Sequence, residues 1–273
     1  MAVPTVGVAL GAGGARGFAH IGVLQALEER GIPVSVVAGS SMGGLVGALY
    51  ATGADPHFMK MLALNIRRRQ WVDFIVPKMG FIAGEKVREL VRLLTRGLRV
   101  HEANKPLAIV ATDLLHKRNV IFHEELIADA VRASISIPGV FVPYPVGEGL
   151  YVDGGVLDPV PIDAAKNLGA DIVIAVDVSS QVLSQSPKSV VDVLLQSFGL
   201  MQERVVQMED FGPAIYVQPP LDDIGMGHFH RAEDAVEAGY RAMSLAMDEV
   251  MESLRLWEPP SPFVDRDSGE KVY

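Results

Sequence analysis

The first 53 residues contain two consecutive units in which an apolar strand ends in glycine and a helix follows. The segments "TVGVALGA" (5–12) and "VSVVAGS" (34–40) are rich in β-branched residues and carry no charge, as expected of buried strands. Each leads into apolar residues at helical spacing, in "RGFAHIGVLQALEERG" (16–31) and "MGGLVGALYATG" (42–53). Strands that alternate with helices in this way form a parallel sheet, because each helix returns the chain to the same end of the sheet. This feature restricts the chain to the α/β class.

The later part of the chain continues the alternation. Further strands are predicted over 107–114, 120–124, 171–178 and 214–218, and helices over 124–133, 161–169, 188–208 and 231–254. The chain has 273 residues, 49% of them hydrophobic, which is enough for a large core, and we find neither repeats nor a linker. We therefore predict one α/β domain over residues 1–257, followed by a polar, loosely ordered tail over 258–273.

Charge and cysteine content exclude several classes of function. A net charge of −9 argues against a general electrostatic grip on nucleic acid, so no nucleic-acid partner is expected. Without cysteine there are no disulfides, no thiolate nucleophile and no cysteine metal site. Residues 1–10 do not resemble a signal peptide, and no run of about 18 apolar residues predicts a transmembrane helix. These observations favour a cytoplasmic protein.

The segment "GSSMG" (39–43) fits the Gly-x-Ser-x-Gly pattern of a nucleophile elbow. In such an elbow a sharp strand-to-helix turn exposes the central serine, and the flanking glycines avoid side-chain collisions. The predicted strand before Gly39 and the predicted helix after Gly43 supply this context. Ser41 is therefore the candidate nucleophile, at a helix N-terminus that favours an alkoxide-like oxygen, and tight packing is the alternative interpretation. Ser40 is off-centre and is interpreted as a turn or capping hydroxyl.

The glycine loop "GAGGARG" (11–17) between the first strand and the first helix allows three interpretations. It could bind the pyrophosphate of a dinucleotide, although the next strand ends in Ser40 and Ser41 instead of an acidic residue for the ribose. It could form an oxyanion hole from consecutive backbone N–H groups, or simply be a tight turn that needs glycine. Arg16, at the helix start, would pin the loop by hydrogen bonds or help to hold an anionic group.

A serine nucleophile needs a general base, and the sequence offers two kinds. His228 and His230 lie in a glycine-flanked loop and come late enough to complete a Ser…Asp…His order, whereas His20 is interpreted as a core or surface residue. The segment "LYVDGG" (150–155) instead brings Asp153 from a short apolar strand to two glycines, which let the carboxylate approach another segment. The alternative for an Asp-Gly pair is a β-turn.

Together these three ordered motifs resemble those of the patatin-like phospholipase family, in particular its small bacterial members. The resemblance covers roughly residues 5–180 and includes "HIGVLQALEERGI" and "ASISIPGVFVP". It implies a three-layer α/β/α fold with a central, mainly parallel sheet. It also implies a catalytic dyad without histidine, in which Ser41 is the nucleophile and Asp153 the base.

The same resemblance assigns the oxyanion hole to the backbone N–H groups of Gly13 and Gly14, with Ala12 as a further candidate. The residues that support these motifs are Arg16, Gly17, Gly39, Gly43, Gly154 and Gly155. Ala12 departs from the family, which usually has glycine there, and Asp158 departs from a frequent asparagine. Asp158 precedes Pro159 and is predicted to cap the next helix, with Pro161 in its first turn.

The implied function is a serine acyl-ester hydrolase that cleaves fatty-acyl esters of phospholipids or lysophospholipids through an acyl-serine intermediate, with no metal or cofactor. A nucleotide-dependent oxidoreductase that uses the 11–17 loop and a regulatory binding protein on the same fold stay open as alternatives. Residues 56–86 combine Met, Leu and Phe with Arg67–Arg69 and Trp71. This segment is interpreted as an amphipathic helix on the sheet, a flap over an acyl pocket or a peripheral membrane contact.

Overall fold

A computed structural model describes residues 3–66, 73–76, 78–179, 186–208 and 212–259. The strands within these residues are β1 (Val6–Leu10), β2 (Val34–Ser40), β3 (Leu107–Asp113), β4 (Arg118–Phe122), β5 (Tyr144–Val146), β6 (Gly149–Asp153), β7 (Ile172–Val176) and β8 (Ile215–Val217). The helices are α1 (Ala19–Glu29), α2 (Met42–Ala51), α3 (Pro56–Asn65), α4 (Glu85–Leu94), α5 (Ile127–Ser134), α6 (Ile162–Asn167), α7 (Val190–Met208) and α8 (Ala232–Leu256).

All of these strands belong to one sheet. Its order is β5-β6-β3-β2-β1-β7-β8, and β4 pairs with β3 outside that path. The central strands β3, β2, β1, β7 and β8 run parallel, whereas β4 and β6 are antiparallel to β3 and β5 is antiparallel to β6. A large apolar core lies between one face of the sheet and most of the helices, and a smaller core lies under α6 on the other face. The fold is therefore a three-layer α/β/α fold.

The C-terminal ends of β2 and β6 meet on the same edge of β3. The edge of β3 that faces away from β4 pairs first with β2, where Ser40 lies opposite Val110, and then with β6, where Asp153 lies opposite Ala111. Because β2 runs parallel to β3 and β6 runs antiparallel to it, the carboxyl ends of β2 and β6 point at each other. The chain separates Ser41 from Asp153 by 112 positions, yet this topology places Asp153 one step along β3 from Ser40, the residue directly before Ser41.

At this junction the side chains of Ser40 and Asp153 lie on opposite faces of the pleated sheet. Adjacent positions of a strand face opposite sides, and Ala111 belongs to the large core whereas Val110 belongs to the small one. Asp153, opposite Ala111, therefore faces the thick helical layer. Ser40, opposite Val110, faces the thin layer, where Gly154 packs close to its hydroxyl.

The predicted helix over 16–31 begins later than expected. Residues Gly14–Phe18 form a 3-10 turn, and α1 starts only at Ala19. Contacts with a distant loop hold the turn in this shape, because Ala15 N–H donates to the Met226 carbonyl and Arg16 Nε donates to the Ile224 carbonyl. The segment 56–86, interpreted from sequence as one unit, contains α3 and the start of α4. Arg67–Arg69, Trp71 and most of the tail over 258–273 lie outside the described residues.

The prediction that Asp158 caps a helix was wrong. Pro161 occupies the N-cap position of α6, and Asp158 stays in the turn after β6, where its N–H donates to the Gly154 carbonyl at 2.9 Å. Its carboxylate accepts a hydrogen bond from Asn119 Nδ2 at 2.9 Å and so ties this turn to β4. The Asp158-Pro159 pair could not reveal this contact because Asn119 comes from a distant strand.

Candidate active site

Ser41 occupies a strained turn between β2 and α2. Its φ of 53° and ψ of −121° lie in a region that residues other than glycine rarely adopt. The backbone is tightly packed on both sides of it, because a Cβ at Gly39 would overlap the Gly43 carbonyl and a Cβ at Gly43 would overlap the Leu10 carbonyl. This is the geometry of a nucleophile elbow, with the serine at the first turn of a helix.

The side chain of Ser41 meets Asp153 directly. Ser41 Oγ donates to Asp153 Oδ2 at 2.6 Å, and the other carboxylate oxygen accepts from Gly155 N–H at 2.9 Å. Both residues are buried, Asp153 completely. Gly155 is closely packed, since a Cβ there would overlap the flexible amide end of Gln202 and the Cβ of Ala12, and both would have to shift to admit a side chain. The carboxylate is thus fixed between the serine hydroxyl and a backbone donor.

Burial changes the acidity of this carboxyl group. Loss of hydration raises the pKa of Asp153 to about 7, and the hydrogen bonds from Ser41 and Gly155 oppose that rise only partly. A carboxylate with an ordinary pKa is a weak base for a serine hydroxyl at neutral pH. The buried position therefore brings Asp153 into the range in which it can accept and return a proton near pH 7.

One short segment at the end of α5 binds the backbones of both residues. Ser134 Oγ accepts a hydrogen bond from Ser41 N–H at 2.8 Å, and the Ser136 carbonyl accepts from Asp153 N–H at 2.9 Å. The guanidinium of Arg132, 1% exposed, donates to Ser136 Oγ at 2.6 Å and to the Val142 carbonyl at 2.8 Å. Ser134 and Ser136 were not predicted as part of the site, because "ASISIP" shows only a family resemblance in the sequence. The available signal was the presence of two serines within an otherwise apolar buried run.

The glycine loop lies beside the elbow, and two of its N–H groups have no backbone acceptor. Ala12 N–H donates to the Pro159 carbonyl at 2.8 Å, so it is already used and does not suit the oxyanion role suggested for Ala12. Within the described residues, no backbone hydrogen bond uses the N–H of Gly13 or Gly14. Gly14 lines the same cavity as Ser41. Of the three candidate donors, Gly13 and Gly14 are therefore the available ones.

Two buried side chains hold this loop in place. Arg16 contacts the Ile224 carbonyl, as described above, and burial lowers the pKa of its guanidinium. His20 Nε2 lies 2.8 Å from the Gly11 carbonyl, and burial lowers the pKa of this imidazole to about 4. The imidazole is neutral near pH 7, so Nε2 carries the proton and donates it to the carbonyl. Both residues thus fix the backbone of the loop.

Neither histidine suggested as a base contacts the serine. His228 Nδ1 accepts from Gly225 N–H at 3.1 Å, and His230 lines a neighbouring cavity whose described lining does not include Ser41. No histidine hydrogen-bonds to Ser41 or Asp153 in the described part of the chain, which includes all seven histidines. The hydroxyl of Ser40 has no hydrogen-bond partner there either, so its predicted turn or capping role was wrong.

Ser41 opens into an apolar cavity of about 140 Å³. The cavity follows α2 through Met42, Leu45, Val46 and Leu49, which share one face of the helix. Its opposite walls are apolar side chains of α3 and α4, namely Met59, Leu62, Ala63, Val87, Leu90, Val91 and Leu94. A second cavity of about 640 Å³ shares Gly14, Phe141 and Phe229 with the first and continues toward α7 and the loop before α8. The arrangement suits a ligand with a long apolar part.

A comparison with protein families identifies this architecture. The family model described as patatin-like phospholipase matches residues 8–166, which include the glycine loop, the elbow and Asp153. The chain belongs to the patatin-like phospholipase family. This agrees with the resemblance seen in the sequence, and membership supports a lipid hydrolase.

Related patatin-like proteins come from bacteria, fungi and animals. An uncharacterised NTE family protein of Mycobacterium tuberculosis is 41% identical over 179 residues, which are 64% of this chain and 49% of that protein. The lysophospholipase NTE1 of Pyricularia oryzae is 28% identical over 87% of this chain and 18% of its own length. The mouse patatin-like phospholipase domain-containing protein 6 is 33% identical over 65% of this chain and 14% of its own length. The chain thus spans half or less of these relatives.

The patatin-like fold also matches a solved structure. VipD from Legionella pneumophila superposes with a TM-score of 0.65 at 15% identity, over 91% of this chain and 67% of that one. At this identity the likeness concerns the fold alone. In the described residues, no helix is both long and apolar enough to span a bilayer, and no three acidic or histidine side chains form a metal-binding group.

Proposed function

We propose that this patatin-like protein is a serine acyl-ester hydrolase that cleaves fatty-acyl esters of phospholipids or lysophospholipids. The observation that carries the proposal is the 2.6 Å hydrogen bond from Ser41 Oγ to the buried carboxylate of Asp153, made at the edge of an apolar cavity. Three features support it: a serine hydroxyl on a carboxylate with a pKa near 7, Gly14 in the lining of the same cavity, and N–H groups of Gly13 and Gly14 that no backbone hydrogen bond among the described residues uses. This is the set of groups that acyl transfer requires.

The proposed reaction proceeds in two halves. Asp153 accepts the hydroxyl proton as Ser41 Oγ attacks the ester carbonyl, and the N–H groups of Gly13 and Gly14 bind the oxyanion. Collapse of this intermediate expels the alcohol, which takes the proton from Asp153 and leaves an acyl-Ser41 ester. Water then loses a proton to Asp153 as it attacks the acyl carbonyl, and release of the fatty acid returns that proton to Ser41 Oγ.

The walls around Ser41 favour a lipid substrate over a nucleotide. Among the described residues, all side chains that line the cavity beside the glycine loop are apolar except Ser41 itself, so a pyrophosphate would lose its hydration without gaining charged partners from them. An acyl chain gains about 0.8 kcal/mol for each methylene that it buries in such a cavity. A lysophospholipase among the relatives is consistent with this substrate class. The nucleotide-dependent alternative has no comparable support.

The decisive experiment compares three variants for covalent labelling and ester hydrolysis. We expect a fluorophosphonate probe to label the unmodified protein but not Ser41→Ala, and we expect Ser41→Ala and Asp153→Asn to lose hydrolysis of fatty-acyl esters. Ser40→Ala is the matched control, because it removes a neighbouring buried hydroxyl that has no hydrogen-bond partner in the described residues. It should keep both activities.

Two outcomes would contradict the proposal. Full hydrolysis by Ser41→Ala would show that another group is the nucleophile. An unmodified protein that folds but hydrolyses no lysophospholipid or phospholipid would instead favour a regulatory binding protein on this fold. Thermal unfolding of each variant separates a loss of chemistry from a loss of folding.

A further inference from the structure

Several large apolar side chains are exposed in residues 56–79, the segment that includes α3 beside the cavities. We call six of them the apolar rim: Phe58, Met61, Leu64, Phe74, Val76 and Met79. Met61 is 61% exposed, Val76 85% and Phe74 64%. Large apolar patches on a soluble surface mark sites that bind another apolar surface.

Helix α3 is apolar on two sides. Met59, Leu62 and Ala63 face the cavity of Ser41, as described above, whereas Phe58 and Met61 are exposed on the outside. The outer side of α3 therefore presents large apolar side chains to solvent in the described structure. Such a side can bind an apolar surface.

The apolar rim is continuous with the candidate active site. Leu64 and Phe74 are exposed and also line the larger cavity, which shares Gly14 and Phe229 with the cavity of Ser41. An apolar path therefore runs from the surface to the nucleophile. A partner seated on the rim would face the entrance through which a lipid must pass.

The charges of this segment differ from those of the whole chain. The protein has 33 acidic and 24 basic residues, but residues 56–79 contain five basic residues and a single acidic one, Asp73. The carboxylate of Asp73 accepts hydrogen bonds from the backbone N–H groups at the start of α4, at 2.7 Å for Gly84 and 2.9 Å for Glu85. An apolar and basic segment with no free acidic group is complementary to phospholipid, whose phosphates are negative and whose chains are apolar.

We propose that the apolar rim docks this protein on a phospholipid surface and holds the cavity entrance against it. This proposal rests on the proposed function for its purpose, since docking would deliver a lipid ester directly to Ser41. Docking itself needs no hydrolysis and can be measured without it.

The test measures binding to vesicles of phosphatidylcholine with added phosphatidylglycerol, in the Ser41→Ala background so that the lipids stay intact. We expect the protein to sediment with vesicles, and we expect Met61→Asp combined with Val76→Asp to weaken binding at least about tenfold. Both side chains are exposed and line none of the described cavities, so the charges are not buried. Leu245→Asp is the matched control, because Leu245 is 86% exposed on α8 and lies about 20 Å along that helix from Ala232 at the cavity.

The same substitutions in the chain with Ser41 separate docking from chemistry. We expect the double variant to hydrolyse a short, water-soluble ester at the unmodified rate but to lose hydrolysis of vesicle lipid. Absence of vesicle binding, or equal binding by the double variant and the control, would overturn the docking proposal and leave the proposed function intact. A dimer that forms in lipid-free solution and is abolished in the double variant would also overturn the docking proposal, because a second copy of the chain would then occupy the apolar rim. If the unmodified protein does not hydrolyse the short ester, the proposed function is overturned and the docking proposal stays intact.

Discussion

At the scale of single residues, the proposed chemistry depends on where one carboxylate is buried. Among the described residues, the carboxylate of Asp153 has no charged partner and hydrogen-bonds only to the hydroxyl of Ser41 and the N–H of Gly155. Desolvation is therefore the main cause of its raised pKa, which reaches about 7. A mechanism without histidine requires such a shift, because the base must hold a proton during one half of the reaction and release it in the other.

The raised pKa predicts the pH dependence of hydrolysis. Asp153 can act as a base only when it is ionised, so kcat/KM for a water-soluble ester should rise about tenfold per pH unit below pH 7 and level off above it. Initial rates between about pH 5 and 9 measure this, with Ser40→Ala as a variant expected to give the same profile. A profile that is flat across pH 7 would exclude Asp153 as the titrating base.

The same shift predicts a change in stability of defined sign. Because the pKa of Asp153 is raised by folding, the native state holds a proton that the unfolded chain loses between about pH 4 and 7. The free energy of unfolding should therefore fall as the pH rises through this window. In Asp153→Asn that fall should be smaller, and denaturant titrations at the two ends of the window measure the difference.

At the scale of secondary-structure elements, the end of α5 aligns the two reacting residues. Ser134 holds the backbone of Ser41, and the carbonyl of Ser136 holds the backbone of Asp153. Arg132 fixes the same segment through carbonyl groups and the Ser136 hydroxyl. One helix end therefore sets the relative position of Ser41 and Asp153, the proposed nucleophile and base, which follow or end different strands.

Ser134→Ala tests this alignment. The substitution leaves the buried N–H of Ser41 without an acceptor, which costs about 1–3 kcal/mol and should lower kcat by about 10- to 100-fold. KM should change little, because Ser134 does not line the cavity of Ser41. Steady-state kinetics on a water-soluble ester separate the two constants. Ser134→Thr keeps the hydroxyl and should restore most of the rate, whereas unchanged kcat in Ser134→Ala would remove Ser134 from this role.

The sequence predicts some of these elements better than others. The strands that end in the glycine loop and in GSSMG were predictable because local patterns of β-branched residues and glycine determine them. The prediction for Asp158 failed because its partner, Asn119, lies on another strand. The roles of Ser134 and Ser136 were not predictable for the same reason, since their hydrogen bonds cross from α5 to two strand ends. Local patterns located the candidate residues, and non-local packing decided their partners.

At the scale of the whole molecule, the cavity between the helical layer and the elbow should determine which acyl chains bind. It follows α2 from Ser41 to Leu49, a distance of about 12 Å along the helix, and side chains of α4 also line it. Val91 belongs to this α4 wall and is 1% exposed. Among the described residues, the hydrogen bonds of Ser41 and Asp153 involve no residue of α4, so we expect this wall to affect the preferred chain length and to leave the proposed catalytic pair unchanged.

Val91→Phe tests whether the cavity determines the preferred acyl-chain length. The larger side chain shortens the cavity, and each methylene excluded from it costs about 0.8 kcal/mol of binding. We therefore expect kcat/KM for long-chain esters to fall at least about fourfold per excluded methylene, with short-chain esters unaffected. Leu93→Phe is the matched control, because Leu93 lies on the same helix and is 75% exposed. Equal losses for short and long esters would contradict this role of the cavity.

Strands β2 and β6 meet on one edge of β3, and this arrangement determines where insertions and deletions can occur without disturbing the site. Ser40, the residue before Ser41, and Asp153 are held one step apart along β3, opposite Val110 and Ala111, whatever the length of the chain that connects them. Insertions or deletions in the exposed connections between these strands can therefore alter the entrance, the rim or the chain-length preference without moving the reacting pair. By contrast, one residue added within β6 would turn Asp153 to the other face of the sheet. The molecule thus combines a fixed reaction centre with a periphery that is free to diverge.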